Sequence, residues 1–286
     1  MTNFQASLPT ANNPQMAGRS QTEPTFAAEN DLPLPPPLDP GANIALFLDF
    51  DGTLVEIADH PDAVVVAPHL AGVVTALSQH LGGRLAIVTG RSIAALEGLL
   101  GPVEVAVAGS HGGEFRARAG AEVEPLADPL PAAVVTALES FASANGGLLV
   151  EPKPFSVAVH YRRHPEALEG LLACAQALAQ ERGLAMKHGK QVIELAMPGS
   201  DKGTAVTRFM GLPAFAGAAP LFLGDDVTDE DAFRAVRHLG GQGVLVGPMR
   251  ATAASLRLPG VAAVHNWLED GLASVPAAKP DGEIRP

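Results

Sequence analysis

The sequence predicts an α/β protein: a parallel sheet covered on both faces, with a smaller α+β unit inserted into it. Three observations lead there. Short apolar runs bounded by Gly or Asp alternate with longer Ala- and Leu-rich stretches of helical period, the pattern of buried parallel strands joined by helices. A middle segment changes to strands that alternate apolar and polar residues, as strands with one open face do. The 286 residues, 47% hydrophobic and 17% charged, suffice for one large domain or two modest ones with a sizeable core.

Residues 1–40 hold 8 of the 25 prolines, among them the run LPLPPPL at 32–38, and show no apolar period. Such a segment is expected to form a disordered arm, semi-extended where prolines cluster, and its deletion to leave turnover and melting temperature nearly unchanged. A proline-rich ligand for a partner domain is the alternative. Strands are expected at Ile44 to Asp49, Leu85 to Thr89, Val103 to Ala108, Leu221 to Gly224, Gly243 to Val246 and Val261 to Val264. Helices are expected at Leu70 to Gln79, Ile93 to Leu100, Lys202 to Met210 and Asp229 to Leu239. In the middle segment, Phe155 to Arg162 and Gln191 to Met197 alternate, with helical stretches at Pro131 to Asn145 and Pro165 to Gly183. The expected organisation is a core of 41–112 and 198–275, an insert of 113–197, and a frayed tail of 276–286.

Nineteen Lys and Arg face 31 Asp and Glu, a formal charge of −12, so nucleic acid and anionic membranes are excluded as partners. An anionic ligand must then be held locally, by a metal or a few placed cations. The single Cys174 cannot close an intrachain disulfide, which suits a reducing compartment. No apolar segment approaches the roughly 18 to 20 residues of a membrane span, and no secretory signal is visible. A cytoplasmic location is expected by exclusion. The oligomeric state is not legible.

The run LFLDFDGTL at 46–54 carries the strongest chemical signal. Successive residues on a strand face opposite ways, so Asp49 and Asp51 project together at the carboxyl end of the sheet, where open α/β sheets bind ligands. Two crowded carboxylates call for a cation between them, and oxygen-only ligands suit Mg2+. A second strand ends in acids, LFLGDDVTDE at 221–230, offering Asp225, Asp226 and Asp229. Lys202 opens a helix, where free N–H groups favour an anion. Thr89, Gly90 and Arg91 end another strand with a hydroxyl, a flexible backbone and a cation. Together these groups suit a phosphoryl group. Taken singly, each has a plain alternative: a calcium-loop fragment or helix cap for the first run, a surface turn for Gly224 to Asp226, and a solvated charge for Lys202.

These motifs, in this order, resemble those of haloacid dehalogenase superfamily phosphatases, and the form GDDVTDE at 224–230 is similar to that of the trehalose-phosphatases. The inserted segment extends the likeness: GSHGGE at 109–114, Lys153 with Ser156, His160 to Arg162, and GKQVIE at 189–194 resemble the motifs with which that family grips its sugar. The resemblance runs from about Ile44 to Trp267. It implies a Rossmann-like core with an inserted α+β cap and Mg2+-dependent hydrolysis of a small sugar phosphate, trehalose 6-phosphate. It further implies Asp49 as nucleophile, Asp51 as general acid and base, and Lys202 and Thr89 on the phosphoryl oxygens. The metal would sit on Asp49, the Asp51 backbone carbonyl, Asp225 and Asp229, with Asp226 the less certain neighbour. Gly90, Arg91, Ser110, His111, Lys153, His160, Arg162, Lys190 and Glu194 would bind substrate. Where the family often carries a basic residue after Glu194, this chain has the apolar Leu195. Other capped sugar phosphatases, acting on sucrose 6-phosphate or mannosyl-phosphoglycerate, remain alternatives, as do a phosphomutase and a non-catalytic phosphosugar-binding protein.

Overall fold

Ile44–Leu48 (β1) sends Leu46 and Leu48 into one hydrophobic cluster and Ala45 and Phe47 into another, so this strand is buried on both faces, as its unbroken apolar run requires. The computed structural model describes residues 31–39, 41–58, 60, 63–126, 128–189, 191–199 and 201–274. After β1 follow helix Leu70–His80 (α1), Leu85–Val88 (β2), Ile93–Leu100 (α2), Ala106–Gly109 (β3), Glu114–Arg116 (β4) and Glu124–Pro125 (β5). Next come Ala132–Ala144 (α3), Leu149–Pro152 (β6), Ser156–His160 (β7), Leu168–Arg182 (α4), Ala185–Gly189 (β8) and Val192–Ala196 (β9). The chain then forms Lys202–Met210 (α5), Ala219–Gly224 (β10), Glu230–His238 (α6), Gln242–Val246 (β11), Leu256–Leu258 (β12) and Val261–Ala273 (α7).

Eight strands form the main sheet in the order β12-β11-β10-β1-β2-β3-β4-β5. Pairing is parallel from β12 to β3 and antiparallel beyond. Helices α1, α2 and α7 bury their apolar faces with Leu46 and Leu48, while α5 and α6 pack with Phe47 on the other side. Because β1 has β10 on one side and β2 on the other, the strand order reverses there, and the crevice past their carboxyl ends is the natural ligand position. The second sheet, β6-β7-β9-β8, is wholly antiparallel. Val157, Val159, Ile193 and Leu195 on one face pack with α3 and α4, and the alternate residues are free to face the main sheet.

Three expectations change. Val261 to Val264 opens a helix rather than forming a strand: Val261, Val264, Leu268 and Gly271 are buried at spacings of three and four, and the sixth parallel strand is Leu256–Leu258. Strands β4 and β5 belong to the main sheet, so the core continues past Gly113 and the separate sheet begins only at β6. The proline run at 32–38 packs on the core instead of extending away from it. Leu38 is 4% exposed, the Trp267 indole donates to the Pro36 carbonyl at 2.8 Å, and the Arg257 N–H donates to the Pro33 carbonyl at 2.9 Å. A Cβ on Gly271 would stand 2.7 Å from Leu38, so glycine there admits the leucine. Prolines lack N–H groups but keep carbonyls, and their fixed φ lowers the entropy lost on ordering, which suits a segment docked through its acceptors. Leu38→Ala is therefore expected to cost about 2–4 kcal/mol in a denaturant melt; an unchanged midpoint would show the contact to be idle. The expected disorder of residues 1–30 and of the tail 276–286 lies outside the described residues. No helix among the described residues is long and apolar enough to cross a membrane.

Candidate active site

The floor is built from the carboxyl ends of β1, β2 and β10. The Asp49 N–H donates to Leu223 at 3.0 Å, carrying the β1–β10 ladder one residue further, and sets the Asp49 carboxylate at the rim with 3% exposure. Asp201 caps α5 by accepting from the Thr204 N–H at 2.7 Å, which makes Lys202 the first helical residue. The Lys202 ammonium donates to Asp49 Oδ1 at 2.6 Å and to Asp229 Oδ1 at 2.7 Å. One oxygen from each of Asp49, Asp225 and Asp229 lies within 4.8 Å of the others, and all three residues are buried. Asp226 stands outside that group; its N–H donates to Asp229 Oδ2 at 2.9 Å, and it lines the cavity above. Gly52, at φ +84°, lets the acidic turn approach: a Cβ there would meet Asp225 Oδ2 at 2.3 Å.

Burial, then the Asp229 charge and more weakly that of Asp225, hold the Asp49 carboxyl well above its ordinary range, against the pull of Lys202. Burial also works against the Lys202 ammonium, but Asp229 and Asp49 outweigh it and push its pKa up. Asp49 and Asp229 thus share one ammonium, and Asp225 lies beside them. Three clustered carboxylates offering an all-oxygen donor set fit a hard divalent cation such as Mg2+.

Arg91 grips Asp51 in a two-pronged pair, Nε to Oδ2 and Nη2 to Oδ1, both 2.7 Å. The pair fixes the orientation of the Asp51 carboxylate. Thr89 is fully buried, and its hydroxyl accepts the Arg91 N–H at 3.1 Å. Gly90 leaves room for the His111 ring, which would come within 2.7 Å of a Cβ. Ser110 and His111 both adopt left-handed backbone, φ 49° and 54°, a costly conformation for such residues that turns the His111 ring inward. Ser110 faces away from the cavity, its hydroxyl donating to Glu114 Oε2 at 3.3 Å.

Above the floor lies the open face of the antiparallel sheet. Glu151, Ala158, Glu194 and Lys187 form one cross-strand row, and all four line the cavity. Glu194 is the junction of the two sheets. It accepts from the Ser156 hydroxyl at 2.6 Å and from the Lys153 ammonium at 3.5 Å, and lies 2.9 Å from His111 Nε2. Burial would raise the Glu194 carboxyl, but His111 and Lys153 overcome it and hold it well below its usual range. Burial lowers the His111 pKa despite Glu194, and its Nε2 faces the Glu194 carboxylate. Lys153 is pushed up, because Glu194 and Glu151 outweigh its burial. His160 Nε2 lies 3.0 Å from Glu151 Oε2, and Arg162 donates to Gln191 Oε1 at 3.0 Å. Lys190 lies outside the described residues.

The cavity between floor and roof is about 250 Å³. Asp49, Asp51, Gly90, Arg91, His111, Lys202 and Asp225 line it from the core, and Lys153, His160, Arg162 and Glu194 from the insert. Thr89, Ser110 and Asp229 stand behind the wall. Sequence reasoning missed Glu151 and Lys187, although the period-two alternation of β6 and β8 places both on the open face. It also missed Arg250, which donates to the Asp225 carbonyl at 3.4 Å and the Asp226 carbonyl at 2.7 Å and pairs with Glu230. No local pattern marks that residue.

A parallel core whose rim carries clustered acids and a buried lysine, roofed by an inserted antiparallel sheet, defines a capped phosphatase of the haloacid dehalogenase class. Residues 47–261 match the family described as trehalose-phosphatase. The chain belongs to the trehalose-phosphatase family, and it is an enzyme. It is 39% identical over 230 residues to the trehalose-6-phosphate phosphatase of Escherichia coli strain K12, covering 80% of this chain and 86% of that one. It is 43% identical over 214 residues to a probable trehalose-phosphate phosphatase of Sinorhizobium fredii, covering 72% and 78%. Among solved structures, the C-terminal domain of Candida albicans trehalose-6-phosphate phosphatase is similar, with a TM-score of 0.72, 26% identity, and 82% of this chain and 94% of that one covered.

Proposed function

We propose that the enzyme hydrolyses trehalose 6-phosphate to trehalose and phosphate, with Mg2+ as cofactor and Asp49 as nucleophile. The observation that carries this reading is the buried Asp49 carboxylate, held 2.6 Å from Lys202 beneath a roof of sugar-binding character. An Asp49 oxygen bonds to phosphorus as the bond from phosphorus to the sugar oxygen breaks, giving an aspartyl-phosphate. Asp51, protonated once its pair with Arg91 opens, gives that proton to the departing sugar oxygen. It then takes a proton from the water that attacks phosphorus, which releases phosphate and restores the Asp49 carboxylate. Lys202 balances charge on Asp49 and on the phosphoryl oxygens. Asp49, Asp225 and Asp229 would hold Mg2+, which supplies Lewis-acid neutralisation of the carboxylates and of the transferring group.

The roof supports a sugar as the rest of the ester, since carboxylates and ammoniums that alternate across one face can accept from and donate to hydroxyls. A cavity of about 250 Å³ lies between floor and roof, and a roof closing over the bound ester would exclude water from the reacting phosphate. A single cysteine suits the reducing cytoplasm. Phosphate release from trehalose 6-phosphate, sucrose 6-phosphate, mannosyl-phosphoglycerate and glucose 6-phosphate tests the reading. The expected result is a preference of about 100-fold or more for trehalose 6-phosphate, abolished by chelation and restored by Mg2+. Preference for another ester would move the substrate but keep the chemistry, and no release from any of them would leave a binding protein.

A further inference from the structure

Lys187 sits at the centre of β8, and its side chain lines the cavity. Its Nζ is buried, and no hydrogen-bond partner reaches it among the described residues. Its row neighbour Glu194 is engaged elsewhere, with Ser156, His111 and Lys153. The ammonium comes close enough to the core that its charge disfavours the imidazolium of His111. An ammonium removed from water without an acceptor is costly, and an oxygen entering the cavity relieves that cost.

The surroundings say which oxygen. Phosphate belongs at the floor, beside Lys202 and the clustered acids. On the roof, Lys153, Lys187 and Arg162 stand among Glu151 and Glu194, so ammonium and guanidinium donors alternate with carboxylate acceptors on one face. A face of interleaved donors and acceptors suits uncharged hydroxyl groups, which donate to carboxylates and accept from ammoniums. We propose that Lys187 is a substrate-binding residue whose ammonium donates to hydroxyl oxygens of the phosphorylated sugar. The inference rests on the sugar-phosphatase reading above.

The test compares the wild-type enzyme with K187M and K187R in three measurements: steady-state hydrolysis of trehalose 6-phosphate, hydrolysis of p-nitrophenyl phosphate, which has no sugar, and thermal melting. K187M is expected to raise KM for trehalose 6-phosphate about 10- to 100-fold, the loss of one charge-assisted hydrogen bond. Its hydrolysis of the aryl ester should stay within about twofold of wild type, and its melting temperature should hold or rise, because an unpaired buried charge has been removed. K187R should recover part of the loss. An unchanged KM would overturn the proposal, as would equal losses on both esters or a lowered melting temperature, since those mark an idle or a structural lysine. Failure of the parent reading looks different: wild-type enzyme would then ignore trehalose 6-phosphate, and the same comparison would be made on whichever sugar ester of the panel it cleaves.

Discussion

Asp49→Asn is expected to lower turnover of trehalose 6-phosphate more than about 1,000-fold while the protein stays folded with an equal or higher melting temperature. The amide keeps the shape of the carboxylate but is a poor nucleophile. If Asp49 only positioned water, general acid–base help from Asp51 would remain and supply roughly 100- to 10,000-fold on its own, so substantial turnover would survive. The two measurements have opposite expected signs for a physical reason. Asp49 shares a buried site with Asp225 and Asp229 and shares the Lys202 ammonium with Asp229, and burial together with the neighbouring carboxylates holds its carboxyl well above the ordinary range. A neutral isostere removes one of three like charges, while its amide oxygen still accepts from Lys202. Turnover above about a thousandth of wild type would end the covalent route. Loss of turnover with a collapsed melting temperature would show instead that the Asp49 and Lys202 pair is needed to hold the sheet rim together.

What the sequence shows of this site is local. An apolar run ending in Asp49 and Asp51 is visible within nine residues, and the strand fixes where both carboxylates go. The same holds for Gly224 to Asp229 and for Lys202, whose cap at Asp201 lies beside it in the chain. What the sequence hides is set by distant contacts. The proline run at 32–38 has no apolar period, and it docks through contacts distant in the chain, with Arg257 on β12 and with Trp267 and Gly271 on α7. The four residues from Val261 to Val264 fit either a strand or a helix, and the choice is settled by Trp267, Leu268 and Gly271, which continue the helical period. Strands β4 and β5 have three and two residues, too few to show a period. Ser110 and His111 adjoin in sequence, yet their left-handed backbone sends one toward Glu114 and the other toward Glu194. Residue types alone cannot distinguish them.

Glu194→Ala is the second large effect, expected to cost about 3–5 kcal/mol of stability at pH 7 and to lower kcat/KM about 100-fold or more. The carboxylate gathers three donors from two sheets: His111 from the core, and Ser156 and Lys153 from the insert. Alanine leaves all three facing a cavity, and Lys153 keeps the more distant Glu151 at 3.9 Å. Glu194→Gln keeps the shape and one acceptor oxygen, so it should fall between the two. The pH dependence separates a true tie from a passive contact. Glu194 is held well below its ordinary value of 4.5 in the folded protein, so its contribution is fully present above that value and is lost as pH falls through the depressed one. His111, lowered from 6.5 by burial, likewise stabilises the fold above its ordinary value and loses that contribution on acidification. Urea melts should therefore show wild type and Glu194→Ala far apart at pH 7 and converging as pH falls below about 4.5. A gap that stays constant across that range would mean that Glu194 acts by filling space. The converging curves would instead identify its charge as what joins the substrate-facing roof to the phosphate-facing floor, so that acid weakens closure of the site as well as the fold.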